Sequence, residues 1–97
     1  MACYVIAHID VTNPEGFKGY QAKVPAIIAK YGGTYLVRGG HATDMENKMP
    51  YPRHVVVQWP DREAAERFYH SSEYQEILPL RLDNSEGVLS IVDGYGG

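Results

Sequence analysis

The chain has 97 residues, a length that predicts a single domain over residues 1–97 with one core. Its formal net charge is −3 and it contains no basic run, which argues against nucleic acid as a partner. The single cysteine excludes an internal disulfide and indicates a reducing compartment. No signal peptide is recognisable, and no apolar run approaches the ~20 residues of a membrane span. We therefore expect a cytoplasmic protein without a membrane partner.

The first part of the chain predicts a strand followed by a helix. Apolar residues alternate over Cys3–Val11, which is the pattern of a strand with one buried face. Asn13 is predicted to cap a helix that begins at Pro14, and apolar residues then recur at helical spacing. Because Pro25 lacks an amide hydrogen, we expect a kink or break there. The Gly-Gly pair at residues 32–33 ends this helix.

The remainder of the chain predicts three further strands and two helices. Thr34–Arg38 and Arg53–Trp59 are strands separated by a polar, proline-containing loop. Asp61 caps the next helix, a short helix restarts at Ser72, and Val88–Val92 forms the last strand. With the two short helices counted as one helical unit, the order β-α-β-β-α-β predicts an α+β, ferredoxin-like fold with both helical units on one face of an antiparallel sheet. Strands one and three are central in that plan.

The alternation within each strand also predicts which sheet face stays uncovered. Tyr35 and Val37 are assigned to the face that meets the helices, and we call the other side the open face. The open face is too apolar to be exposed to water, so we expect a homodimer that packs sheet on sheet. Polar groups on a covered face need hydrogen bonds to one another, to water or to a ligand. The predicted open face comprises Tyr4, Ile6, His8, Leu36, Arg38, His54, Val56, Gln58, Val88, Ser90 and Val92.

These polar residues predict a half-buried pocket for a small-molecule ligand on the open face. Arg38 is the candidate for holding a carboxylate or an enolate, because its planar fork suits a bidentate anion. His8 is the candidate general base, since its reference pKa is near neutral. The alternatives are an ion pair from Arg38 to Asp10 or Glu46 and a hydrogen-bonded core histidine at His8. The other residues predicted to bind the ligand are Tyr4, Tyr20, His54, Gln58, Tyr74 and Ser90.

No cofactor or metal is predicted. His8, His41 and His54 are far apart in the sequence, and no close-spaced ligand pair exists. The glycine pairs do not match a phosphate-binding loop. Haem with His8 or His54 as its axial ligand remains an alternative that no motif favours.

Four stretches of the sequence carry a family resemblance. They are YVIAHIDVTNPE at 4–15, KYGG at 30–33, LVRGG at 36–40, and FY followed by SEYQ within 68–75. Together they resemble the small bacterial family known as domain of unknown function 1330, over nearly the whole chain. Arg38 and Tyr74 match its most recognisable positions, and His8 matches a position that is usually polar. The resemblance implies a dimeric α/β barrel in which two ferredoxin-like protomers join their sheets.

The resemblance implies a range of activities without selecting one. Members of the wider superfamily include cofactor-independent monooxygenases, haem-degrading enzymes, chlorite dismutase-like haem proteins and muconolactone isomerase-like enzymes. We therefore expect a monooxygenase-like or isomerase-like enzyme that acts on a small carbonyl- or carboxylate-bearing molecule. The alternative is a dimer that binds a small molecule without catalysis or serves only as a structural module.

Overall fold

The chain folds into a four-stranded antiparallel sheet with three helices. The structure is a computed structural model that describes residues 1–96, and Gly97 lies outside the described residues. The sheet order is β2-β3-β1-β4, so β1 and β3 are central and the predicted α+β, ferredoxin-like fold is confirmed. The elements are β1 (Cys3–Val11), α1 (Pro14–Lys30), β2 (Thr34–Arg38), β3 (Arg53–Trp59), α2 (Arg62–His70), α3 (Ser72–Leu82) and β4 (Ser85–Asp93).

The core lies between the sheet and the helices. Every second residue of β1 from Cys3 to Ile9 is buried, whereas the residues between them are half-buried, as the strand pattern predicted. Trp59 on β3 packs on Phe68 of α2 with 4.9 Å between ring centroids. Phe68 in turn lies 4.5 Å from the ring of Tyr74, which is fully buried on α3. Aromatic contacts thus join the sheet to the helices over this face.

Helix α1 runs without interruption through Pro25, so the predicted break is wrong. Val24 and Ile28, on either side of this proline, are both buried against the sheet. The packing of an apolar face along 17 residues outweighs the loss of one backbone hydrogen bond.

Two side chains at helix starts differ from the predicted caps. Asn13 occupies the N-cap position of α1, but its amide donates to Asn84 Oδ1 at 3.0 Å instead of capping the helix. Ser71, and not Ser72, caps α3, because its hydroxyl accepts from the amide of Tyr74 at 3.1 Å. The first contact ties the start of α1 to the turn before β4.

A bulge at Leu36 reverses the predicted orientation of the end of β2. The pairing with β3 shifts by one residue there, so that Val37 lies opposite Val56 and Arg38 lies opposite Val55. A shift of one residue moves each following side chain to the other face of a sheet. The predicted placement of Val37 toward the helices and of Arg38 on the open face is therefore wrong.

Candidate functional site

The predicted site residues lie on opposite sides of the sheet. Tyr20, Arg38 and Tyr74 line one cavity between the sheet and the helices. The predicted single pocket on the open face, with Arg38 beside His8, is therefore wrong, because the bulge in β2 turns Arg38 away from it. The predicted site residues that lie on the open face are Tyr4, His8, His54, Gln58 and Ser90.

The cavity between the sheet and the helices, called the central cavity below, has a volume of about 50 Å³. Its polar lining consists of three arginines, three tyrosines and one glutamine, and no aspartate or glutamate lines it. The rest of the lining is apolar. The polar residues are Tyr20, Gln21, Tyr35, Arg38, Arg53, Tyr74 and Arg81, and the apolar residues are Val5, Ala7, Ile9, Phe17, Val24, Val55, Phe68 and Leu89.

Two phenols of the cavity are hydrogen-bonded to each other. The hydroxyl oxygens of Tyr20 on α1 and Tyr74 on α3 are 2.8 Å apart. Burial, together with the neighbouring hydroxyl of Tyr74, raises the pKa of Tyr20 far above its usual range. Burial likewise raises the pKa of Tyr35. Tyr20 and Tyr35 are therefore neutral phenols that can donate a hydrogen bond, and neither is suited to act as a general base.

Arg81 brings a cation to the buried end of the cavity. It lies on α3 seven residues after Tyr74, and only 6% of its surface is exposed. Its Nε atom is buried and has no hydrogen-bond partner. Burial disfavours the cation, but the oxygens of Tyr74 and Tyr20 outweigh that effect and raise the pKa of Arg81. The guanidinium therefore stays charged.

The other two arginines lie closer to the surface. Arg38 is exposed, donates to the backbone oxygen of Gln21 at 3.0 Å and lies over the ring of Tyr35 at 5.1 Å. Among residues 1–96 it forms no ion pair, neither with Asp10 nor with Glu46. These contacts fix its orientation without neutralising its charge.

Arg53 is half-buried at the start of β3, and Gly39, in the LVRGG stretch of residues 36–40, leaves space for its side chain. Gly39 has a φ of +67°, and a Cβ atom there would lie 2.2 Å from Nη1 of Arg53. Any side chain at this position would displace the guanidinium and strain the backbone.

The histidines of the open face form a pair of their own. His8 and His54 lie directly opposite each other on β1 and β3, and their Nδ1 atoms are 2.8 Å apart. One of these nitrogens donates and the other accepts. The geometry supports the alternative of a hydrogen-bonded histidine at His8. Its predicted role as a general base stays a prediction.

Two further features bear on what the described chain can bind or cross. Within residues 1–96, no group of three or more histidine, cysteine or acidic side chains is arranged to hold a metal ion. No helix in that range is both long and apolar enough to cross a membrane.

Two arginines of the site were missed in the sequence, although the pattern contained a signal for each. Arg81 follows Tyr74, Ile77 and Leu78 at helical spacing, so it interrupts an otherwise apolar stripe. Arg53 precedes the buried positions of β3 at the strand period of two. A charged residue on a buried stripe is rare unless it has a partner, and it therefore indicates a site.

The chain is similar to several solved structures. A protein of unknown function from Rhodopseudomonas palustris aligns with a TM-score of 0.79 at 10% identity, covering 99% of this chain and 84% of the other. A dimeric ferredoxin-like protein of unknown function from Jannaschia sp. aligns with a TM-score of 0.72 at 8% identity, covering 97% and 100%. SnoaB, a cofactor-independent oxygenase from Streptomyces nogalater, aligns with a TM-score of 0.65 at 14% identity, covering 99% and 95%.

At such low sequence identity these similarities support the fold alone. No curated protein matches the chain. The model of the family "Domain of unknown function (DUF1330)" matches residues 2–95. The chain therefore belongs to the DUF1330 family, as the sequence motifs predicted.

Proposed function

We propose that the protein binds a small, partly apolar, anionic molecule in the central cavity and acts on it as a cofactor-independent enzyme. The observation that carries this proposal is the lining of three arginines and three tyrosines, to which no aspartate or glutamate of residues 1–96 contributes. Guanidinium groups and neutral phenols are donors for an anionic oxygen. A carbonyl- or carboxylate-bearing molecule with an apolar body matches both parts of the lining.

The exposure of the three arginines supports a route into the cavity. Arg38 is exposed, Arg53 is half-buried and Arg81 is buried. A row of like charges that leads inward concentrates ligands of the opposite charge and raises their rate of association. In this proposal Arg38 receives the anion at the entrance.

The reaction class follows from what such a lining stabilises. Donors of this kind favour an enolate or phenolate oxygen, which forms both in proton abstraction next to a carbonyl and in oxygen insertion with molecular oxygen as the oxidant. SnoaB, which has the same fold, is described as a cofactor-independent oxygenase. We extend that reaction class to this chain as part of the proposal.

Binding without catalysis is the second candidate function, and one observation favours it. No histidine, aspartate or glutamate lines the cavity, and burial keeps Tyr20 protonated. The cavity therefore lacks an evident general base. His8 does not fill this gap, because it lies on the other face of the sheet.

We also propose that the protein is a homodimer joined through the open face. Four apolar side chains of this face are 39–52% exposed, namely Leu36, Val37, Val88 and Val92. A second copy would cover them, and a surface that pairs with itself suits a two-fold dimer. The Jannaschia protein, which this chain matches along its full length, is described as dimeric. A cytoplasmic location, supported by the single cysteine, completes the proposal.

The test is a panel of small carboxylates, keto acids and phenols, screened by thermal unfolding. At a concentration of about 100 Kd a ligand stabilises by ~2.7 kcal/mol, which raises Tm by roughly 10–20 °C in a domain of this size. We expect Arg38→Ala to lose the shift and keep its sedimentation as a dimer. Arg67→Ala, which removes an exposed arginine of α2, is the matched control.

Two results would contradict the proposal. One is a panel in which no acid stabilises the wild-type protein. The other is an equal shift in the wild type and in Arg38→Ala. If Arg38→Ala unfolds at room temperature, the arginine is structural. Turnover of the bound acid, followed by NMR under oxygen and under argon, separates an oxygenase, an isomerase and a binder.

A further inference from the structure

Within residues 1–96, Arg81 has no counter-ion. It is the only charged residue within residues 1–96 that is buried, and its Nε–H lacks an acceptor. No acidic side chain lines the cavity that it faces. A buried charge is costly unless it is paired and hydrogen-bonded. The position therefore favours an anion that enters from outside.

The phenols beside Arg81 supply a second donor. In the contact between the hydroxyls of Tyr20 and Tyr74, one oxygen donates and the other accepts. The accepting hydroxyl keeps its own hydrogen, which is free to donate to a third group. Arg81 lines the same cavity and its buried Nε–H has no partner, so the lining offers two donors, and a carboxylate has two acceptor oxygens.

The size of the cavity limits what can bind there. A volume of about 50 Å³ accommodates roughly three to five water-sized groups. A carboxylate with one or two further carbon atoms fits this space, and the aromatic rings of Phe17 and Phe68 line it. The body of any larger molecule must extend toward the entrance at Arg38.

We propose that Arg81, with the Tyr20–Tyr74 pair, binds the carboxylate of a short-chain carboxylic acid, or the acid group of a longer one whose remainder points toward Arg38. This inference rests on the proposed function and adds the chemical class and orientation of the ligand. Arg38 at the entrance attracts the anion, whereas Arg81 retains it.

The experiment is a titration of the ¹⁵N-labelled protein with propionate. The Nε–Hε signal of Arg81, assigned by its absence in Arg81→Met, should move downfield as its hydrogen bond forms. Propionamide, which has the same shape without the charge, should leave the signal in place. Arg81→Met should raise the Kd for propionate about 10- to 100-fold, the range expected for a charged hydrogen bond. Arg67→Met, an exposed arginine-to-methionine change, should leave the Kd unchanged.

The outcomes separate this inference from the proposed function. Equal propionate affinity in the wild type and Arg81→Met would overturn the inference, and the proposed function would stand if Arg38→Ala still lost binding. Failure of propionate and of every acid in the panel to bind would overturn both. Arg81→Met removes an unpaired buried charge, so we expect it to fold. If it does not, Arg81→Lys, which also lacks the Nε–Hε group, supplies the assignment, and an unmoved signal in the wild type at saturating propionate overturns the inference.

Discussion

The hydroxyl pair of Tyr20 and Tyr74 predicts a specific pattern of stabilities. Tyr74 is fully buried, and its oxygen lies 2.8 Å from that of Tyr20. Tyr20→Phe leaves the hydroxyl of Tyr74 buried without this partner, which costs about 2 kcal/mol. Tyr74→Phe should cost about the same. The double variant removes both hydroxyls together and should cost less than about 2 kcal/mol, because neither hydroxyl is left without the other, whereas additivity predicts about 4 kcal/mol.

The assay is urea unfolding of the wild type, both single variants and the double variant at one protein concentration, since the stability of a dimer depends on concentration. The expected coupling is therefore at least about 2 kcal/mol, within the range measured for residues in contact. Tyr95→Phe, at a fully exposed tyrosine, is the control and should change stability by less than ~0.5 kcal/mol. Costs that add within ~0.5 kcal/mol would show that the two hydroxyls do not stabilise each other.

Four further changes test the site, the proposed dimer and the pH dependence of stability. Gly39→Ala should destabilise the protein by about 1 kcal/mol and weaken acid binding, because the new Cβ displaces the guanidinium of Arg53. Gly40→Ala is the control, since no atom lies within 4 Å of its new Cβ, and it should change neither stability nor acid binding. Val88→Lys should convert the dimer to a monomer in sedimentation, and an unchanged dimer would exclude the open face as the interface. His8→Gln should leave acid affinity unchanged, whereas loss of turnover would restore this histidine as the base. Hydrogen bonds from Lys30 and Tyr31 at the end of α1 lower the pKa of Glu73 in the folded protein. The stability that Glu73 contributes is therefore fully present above its unfolded-state pKa, and it is lost as the pH falls through the lower pKa of the folded state. The free energy of unfolding of Glu73→Gln should therefore fall less between neutral and acidic pH than that of the wild type, and identical pH profiles would contradict this.

The sequence was sufficient for the fold because its periods are strong. The alternation in β1 and the aromatic stripe of α1 leave one arrangement of strands and helices, and the structure agrees with it. Tyr20 and Tyr74 were also correctly grouped, although they were placed with the wrong partners. The helical period and the residue type were sufficient to predict that these two tyrosines lie close together.

The position of Arg38 could not be predicted from the same reasoning. Every residue of β2 is compatible with regular pairing, and no glycine or proline within the strand marks an irregularity. The bulge is a property of the ladder between β2 and β3, which are separated in the sequence by a long loop. Strand periodicity is a local signal and carries no information on a register shift against a distant partner.

The bulge at Leu36 has a consequence for how such a site is gained or lost. Regular pairing of every residue of β2, with Leu36 retained, would place Arg38 opposite His54 on the open face, whereas the extra residue in the bulge places it opposite Val55 on the side of the central cavity. The bulge therefore decides, with no change of residue type, whether this cation lies on the proposed ligand route or in the proposed subunit contact. Among relatives, the pairing register between β2 and β3, rather than the presence of the arginine alone, should therefore distinguish proteins that bind the same anion from those that do not.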